Sequence, residues 1–272
     1  MKPELHIFGI EIPLFGLMIA TGVLCLTIIV IHLFRRHNVS EAKIDQLIVI
    51  TAASGAMFAL GASFFDGLWH SLSDYKLTGV FQYEFYGITF SGGLLTGFAA
   101  YMIIFYIFSK YDRYNMFFYL DFIVIGICIA HAFGRIGCFF GGCCYGKVVP
   151  EGTFLSMMYP TSKGMQNVYP TQLFESVFLF VFTFVLLFFV KKNRSAWYFI
   201  GYNVFRFLLE GLRGDDRGAS PFGFLSPSQF LSIVMLAFGI VLLIFRKQIE
   251  AWLLKKTIHL DDSDTTNQIA TE

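Results

Sequence analysis

Seven apolar runs, at about 10–34, 45–65, 85–108, 117–136, 172–190, 196–212 and 224–245, set the strongest limit on how this chain can fold. Each approaches the roughly 20 residues that a helix needs to cross a bilayer. Inside hydrocarbon every backbone amide must find its partner within its own segment, which leaves helices as the natural form for such runs. The expectation is therefore an all-α integral membrane protein with seven transmembrane helices. Composition agrees, with 56% hydrophobic and 14% charged residues. Pro227 falls near the start of the last run, where a missing N–H costs little. The first run is too long for a secretory h-region and is followed by no Ala-x-Ala-like site, so it reads as a first spanning helix.

Orientation follows from the bias of Lys and Arg toward one set of connections. Twelve of the 20 basic residues, from Arg35 and Arg36 to Lys255 and Lys256, fall on one side. Six fall on the other: Lys2, Lys76, Lys147, Lys163, Arg213 and Arg217. The N-terminus is thus expected outside and the C-terminus in the cytoplasm. Residues 1–256 form one membrane domain, in which 137–170 is an extracytoplasmic Gly-rich loop region. The remainder, 257–272, is a polar cytoplasmic tail, acidic at Asp261, Asp262 and Asp264 and expected to be an unstructured end. A net charge of +1 gives no footprint for a nucleic-acid partner. Gly93-Leu94-Leu95-Thr96-Gly97 offers a small-xxx-small face for close helix packing.

Ionisable residues gather at the outer ends of these runs. Asp66 ends the second, Glu84 opens the third, Arg135 ends the fourth and Glu175 opens the fifth. Arg206 and Glu210 lie in the last turns of the sixth, with Arg213 just beyond. Arg206 stands about 15 Å along its helix at 1.5 Å per residue, close to mid-bilayer. An unpaired guanidinium there is very unfavourable, so it must face protein, water or an anion. Two arginines on neighbouring helices suit a phosphate, which guanidinium binds bidentately. A pair of ion bridges, Arg135 to Glu175 and Arg206 to Glu210, is the competing reading. Asp121, about 21 Å from Arg135 along the same helix, reads as an interfacial or packing carboxylate rather than Arg135's partner.

The densest chemistry lies between His131 and Gly146, with one imidazole, one guanidinium, three thiols and five glycines. His131, Arg135 and Cys138 share one helical face if the helix persists that far. A thiol beside a guanidinium has a lowered pKa, and an imidazole one turn away can accept a proton. Cys138, Cys143 and Cys144 admit three readings: small residues in a turn, a disulfide, or a metal site. The spacing Cys-x4-Cys-Cys lacks the paired pattern of zinc sites, so no metal is expected. Cys25 and Cys128 lie in apolar runs and read as small buried hydrophobes.

Four segments, in order, resemble the prolipoprotein diacylglyceryl transferase family. Gly134-Arg135-Ile136-Gly137-Cys138-Phe139, with Gly146 closing the turn, is similar to the family signature. Ser91-Gly92-Gly93-Leu94 resembles its His-Gly-Gly-Leu segment. Tyr169-Pro170-Thr171-Gln172-Leu173-Phe174-Glu175 resembles His-Pro-Ser-Gln-Leu-Tyr-Glu. The stretch from Tyr202 through Arg206 and Glu210 to Arg213 resembles Tyr-x3-Arg-Phe-x2-Glu-x2-Arg.

The resemblance implies a multi-pass protein of the bacterial cytoplasmic (inner) membrane, its site toward the extracytoplasmic leaflet. It implies transfer of the diacylglyceryl group of phosphatidylglycerol to a thiol, the lipobox cysteine of a prolipoprotein, with release of glycerol phosphate. Arg135, Arg206, His131 and Tyr202 are the implied catalytic group. Ser91, Gly92, Gly93, Gly134, Gly137, Cys138, Cys143, Glu175, Glu210 and Arg213 are the implied substrate-binding set. The implied partners are phosphatidylglycerol, a prolipoprotein or other thiol acceptor, and the bilayer; no cofactor is implied.

Three positions depart from the family pattern. Ser91 stands where the family has a catalytic histidine, Cys138 where it has asparagine, and Cys143 where it has an acidic residue. Serine is a poor general base, so either His131 or a cysteine thiolate takes that role, or the acceptor differs. A lipid-binding homologue without turnover and a small-solute transporter are the alternatives, although no inverted half-repeat supports transport. A retinal receptor is disfavoured because no lysine lies between Phe224 and Phe245.

Overall fold

The computed structural model describes residues 4–7, 10–83, 87, 89–161, 163–214 and 225–269, with backbone alone for the last ten of these. The expectations placed on Lys2, Glu84 and Arg217 lie outside the described residues, as does the side chain of Lys76. Among the described residues there are seven α-helices: α1 (Leu14–Arg36), α2 (Glu41–Thr78), α3 (Phe90–Phe108), α4 (Met116–Phe140), α5 (Thr171–Phe188), α6 (Arg194–Leu209) and α7 (Pro227–Ile269). Among the described residues, six helical segments are long and apolar enough to cross a membrane: Leu14–Arg36, Glu41–Leu72, Phe90–Phe108, Arg113–Phe140, Thr171–Phe188 and Pro227–His259. Helix α6, with 16 residues, is shorter and continues into a 3-10 turn at Glu210–Leu212.

The structure differs from the sequence expectation in three places. Helix α4 persists to Phe140 rather than stopping near 136, so its glycines 134 and 137 are helical. Two antiparallel hairpins accompany the helices, β1 (Glu4–Ile7) with β2 (Ile10–Pro13) and β3 (Met157–Thr161) with β4 (Gly164–Val168). The protein is therefore mostly, not wholly, α. Helix α7 runs on to Ile269, so the expected unstructured end is helical as far as it is described.

Helix ends follow sequence chemistry. Ser40 caps α2 by accepting from the Lys43 amide at 3.4 Å, and Gly79 closes it at φ 73°. Helix α7 opens with a capping box: Ser226 Oγ accepts from the Gln229 amide at 3.1 Å, and Gln229 Oε1 accepts from the Ser226 amide at 3.0 Å. Pro227 occupies the first helical position, where it is pre-organised for the helix.

The chain divides into two compact units, one of residues 1–33 and 122–237, the other of 34–121 and 238–272. In the first, α4 is central; its apolar stretch is 72% buried against 11% for α1 and 39% for α5. A Cβ at Gly126 would stand 2.8 Å from Val30 and 2.9 Å from Leu26, so glycine lets α1 approach closely. Ser176 of α5 donates to the Ala132 carbonyl at 3.1 Å. Phe178 and Phe205 stack at 3.9 Å between α5 and α6. Val23, Leu24 and Ile28 on α1, and Val177, Val181 and Phe184 on α5, are exposed, as suits surfaces solvated by lipid chains.

In the second unit, the expected small-residue face does pack. A Cβ at Gly93 would meet the Phe58 carbonyl at 2.8 Å, and one at Gly97 would meet Phe58 Cβ at 3.0 Å. Asp121 is the packing carboxylate expected, pairing with Arg246 at 2.8 Å. Both are buried, and Arg246 also reaches Glu250 at 2.7 Å. Lys43 pairs with Asp112 at 2.9 Å and lies over the Phe105 ring at 4.8 Å.

Candidate active site

Three helices of the first unit bring their charged residues together. His131 and Arg135 lie one turn apart on α4, Glu175 lies in the first turns of α5, and Tyr202 and Arg206 lie one turn apart on α6. Because α4 persists to Phe140, Cys138 continues the face that His131 and Arg135 begin, as the spacing requires.

Glu175 is the centre, with its side chain 1% exposed. Its Oε1 accepts the Tyr202 hydroxyl at 2.7 Å and pairs with Arg135 Nη2 at 3.0 Å. The same oxygen lies 3.7 Å from His131 Nε2. The imidazole stands edge-on to the Tyr202 ring at 4.8 Å, and its Nδ1 lies 3.2 Å from the Tyr198 hydroxyl. Arg206 acts on Glu175 and His131 through its charge and pairs directly with Glu210 at 2.7 Å. Glu210 in turn accepts from Ser226 Oγ at 2.8 Å, and Arg213 Nε lies 3.9 Å away. The cap of α7 thus also holds a site carboxylate.

Both ion bridges anticipated as the competing reading are formed, yet they do not exhaust the cluster. Among the described residues, three guanidiniums and two carboxylates meet here. Among the described residues, Arg135 Nε and Glu175 Oε2 are buried with no hydrogen-bond partner. A buried donor left unmet costs about 1–3 kcal/mol, so the arrangement has unused capacity for an anion.

The loop beyond α4 is fastened to the same frame. Gly146 and Arg213 form a β-bridge, and the Gly146 amide donates to the Tyr169 carbonyl at 2.8 Å. A Cβ at Gly146 would stand 2.7 Å from the Leu212 carbonyl and 2.8 Å from that of Tyr169, so only glycine fits this closing turn. Gln172 Nε2 donates to the Cys143 carbonyl at 2.5 Å, and Thr171 Oγ1 to that of Cys144 at 3.0 Å. Cys138, Cys143 and Cys144 have their sulfurs within 4.8 Å of one another. Hydrogen bonds from Cys138 and Cys143 pull the Cys144 thiol below the ordinary thiol range, with Arg135 and Arg213 adding to the effect. The Tyr159 hydroxyl, pushed up to about 12 by burial and the neighbouring thiols, donates to the Phe139 carbonyl at 2.5 Å.

Not every implied residue belongs to this cluster. Gly134 has open space around its Cα, and Gly137 packs on α1, where a Cβ would stand 3.2 Å from the Phe15 carbonyl. Ser91, Gly92 and Gly93 belong to the second unit. There, a Cβ at Gly92 would meet Phe65 Cβ at 2.5 Å, so the glycine pair serves close packing against α2. Cys128 is buried as expected, whereas Cys25 is only half-buried. Tyr198, Ser226 and Tyr159 were not singled out from the sequence. The Ser-x-x-Gln box at Ser226 is a signal that was available; the hydroxyl contacts of the tyrosines have none.

Comparison with known proteins places this geometry in a family. The profile of the prolipoprotein diacylglyceryl transferase family matches residues 3–245. Phosphatidylglycerol–prolipoprotein diacylglyceryl transferase 2 of Clostridium perfringens is 30% identical over 245 residues, 87% of this chain and 92% of that protein. The phosphatidylglycerol–prolipoprotein diacylglyceryl transferase of Clostridium tetani is 31% identical over 91% of this chain and 100% of its own length. That of Clostridioides difficile is 27% identical over 86% and 91%. The matches extend through α4, α5 and α6 with their arginine–carboxylate cluster, and the chain belongs to the prolipoprotein diacylglyceryl transferase family.

Proposed function

We propose that this chain moves the diacylglyceryl group of phosphatidylglycerol onto the lipobox cysteine thiol of a prolipoprotein, releasing glycerol phosphate, at the extracytoplasmic face of a bacterial inner membrane. The observation that carries the reading is the buried Arg135 Nε, without a hydrogen-bond partner among the described residues, beside the Arg135–Glu175 and Arg206–Glu210 pairs. In this reading the chain crosses the membrane seven times, the shorter α6 included, and the Lys/Arg bias sets the N-terminus outside.

The chemistry breaks the bond between the glyceryl carbon and the phosphate oxygen while the acceptor sulfur forms a bond to that carbon. Negative charge grows on the departing phosphate. Arg135 and Arg206, held by carboxylates before the lipid arrives, stabilise that charge without reorganising, and Arg213 supports the same oxygens. Tyr202 fixes Glu175 and thereby Arg135. The thiol's proton passes toward the His131–Glu175 pair, where the carboxylate stabilises the imidazolium that forms. His131 thus takes the task that Ser91 cannot perform. The Gly-rich turn at 141–146 gives the head group a close approach to the backbone, with Cys138 and Cys143 beside it.

Complementation of a cell depleted of its own diacylglyceryl transferase tests the reading. Growth with lipidated prolipoprotein supports it. Failure to complement, with labelled phosphatidylglycerol still consumed in vitro, assigns a different acceptor; no consumption at all refutes transfer.

A further inference from the structure

The three thiols beyond the centre of α4 are assembled by the way that helix ends. The Gly142 amide donates to the Phe139 carbonyl at 3.3 Å and the Cys143 amide to the Cys138 carbonyl at 3.2 Å, while Gly142 adopts φ 72°. This is a Schellman stop, whose geometry brings the side chains of its first and last residues into contact, commonly as an apolar pair. Here those two residues are Cys138 and Cys143. Cys144 then adopts φ 63°, uncommon for a residue with a Cβ, and turns a third sulfur back toward the first two. Thr171 and Gln172 of α5 pin the carbonyls of Cys144 and Cys143, so the set is held from a second helix.

We propose that Cys138, Cys143 and Cys144 form a three-thiolate site for a thiophilic divalent cation of the zinc type. The three sulfurs lie within 4.8 Å of one another. A tetrahedral ion about 2.3 Å from each sulfur asks for about 3.8 Å between sulfurs, so closure needs shifts of about 1 Å or less. Spacing along the chain concealed this set because Cys-x4-Cys-Cys becomes compact only once the helix stops at Gly142. Charge also fits: three thiolates and one divalent ion leave one negative charge, and Arg135 and Arg213 lie within electrostatic reach. Cys143 is exposed, which gives the ion an entry path and leaves its fourth position to solvent. Binding displaces whatever thiol protons remain on the three sulfurs, and these go to buffer.

The test uses the full chain in detergent, reduced with a phosphine, freed of metal by chelation and carrying His6→Ala. That substitution removes the exposed Glu4–His6–Glu11 group, a second candidate for a metal ion. Titration with Co(II) should give thiolate-to-cobalt charge-transfer absorption saturating at one ion per chain, and Zn(II) should displace it. Cys138→Ser and Cys144→Ser should each weaken binding at least 100-fold, whereas Cys25→Ser should leave it unchanged. The protein with all its cysteines intact supplies a control free of folding defects: Zn(II) should protect Cys138, Cys143 and Cys144, but not Cys25, from alkylation read by mass spectrometry. Absence of the charge-transfer band, or alkylation of the three cysteines undiminished by Zn(II), would overturn the assignment.

Discussion

Glu175 Oε1 accepts the Tyr202 hydroxyl at 2.7 Å, a contact between α5 and α6 made with the oxygen that also pairs with Arg135. The orientation of Arg135 therefore depends on a hydroxyl two helices away. Tyr202→Phe should lower transfer about tenfold while leaving the fold intact, a cost of the size of one charged hydrogen bond. Transfer assays beside thermal unfolding in detergent read the two effects separately.

Glu175→Gln removes the charge that balances Arg135 and keeps the side chain's volume. A buried guanidinium left without its counter-ion should cost about 3–5 kcal/mol, lowering the unfolding temperature by several degrees. Added phosphatidylglycerol should restore part of that loss, because its phosphate supplies the missing negative charge. Thermal shift with and without the lipid checks this.

His131→Ala should reduce turnover by about 10²–10⁴, the usual contribution of a positioned acid–base group, with little loss of lipid binding. Unchanged turnover would move the proton-accepting role to a cysteine or to the acceptor's own thiolate. Steady-state kinetics with a lipobox peptide, beside lipid binding, separates these outcomes.

Gly146→Ala should destabilise the frame that joins Arg213 to the loop, since its Cβ would press on two backbone carbonyls under 3.0 Å away. Overpacking of this kind costs about 1–3 kcal/mol. Gly134→Ala, with nothing within 4 Å, should be neutral by the same thermal measurement.

Much of this architecture was legible because a bilayer leaves so few solutions. Six of the seven apolar runs coincide with long helices, and the sixth, at 196–212, matches α6 with its 3-10 turn to Leu212. The end of α4 was misplaced because Gly134 and Gly137 look like breakers in sequence. Gly137 instead sits in the helix against α1, where its missing side chain serves packing. The hairpins left little pattern, since Glu4–Ile7 and Ile10–Pro13 are too short for alternation to stand out. Spacing identified the Arg206–Glu210 bridge, because residues four apart share a helix face. The Arg135–Glu175 contact lies between helices, and the gathering of charges at the outer ends of the runs pointed to it.

The most direct measurement is transfer of labelled diacylglyceryl from phosphatidylglycerol to a lipobox peptide by the purified chain and by its Arg135→Ala and Arg206→Ala variants. Arginines that hold the departing phosphate should make each variant at least 10²–10³ times slower at unchanged expression. Wild-type rates in either variant would contradict the phosphate clamp.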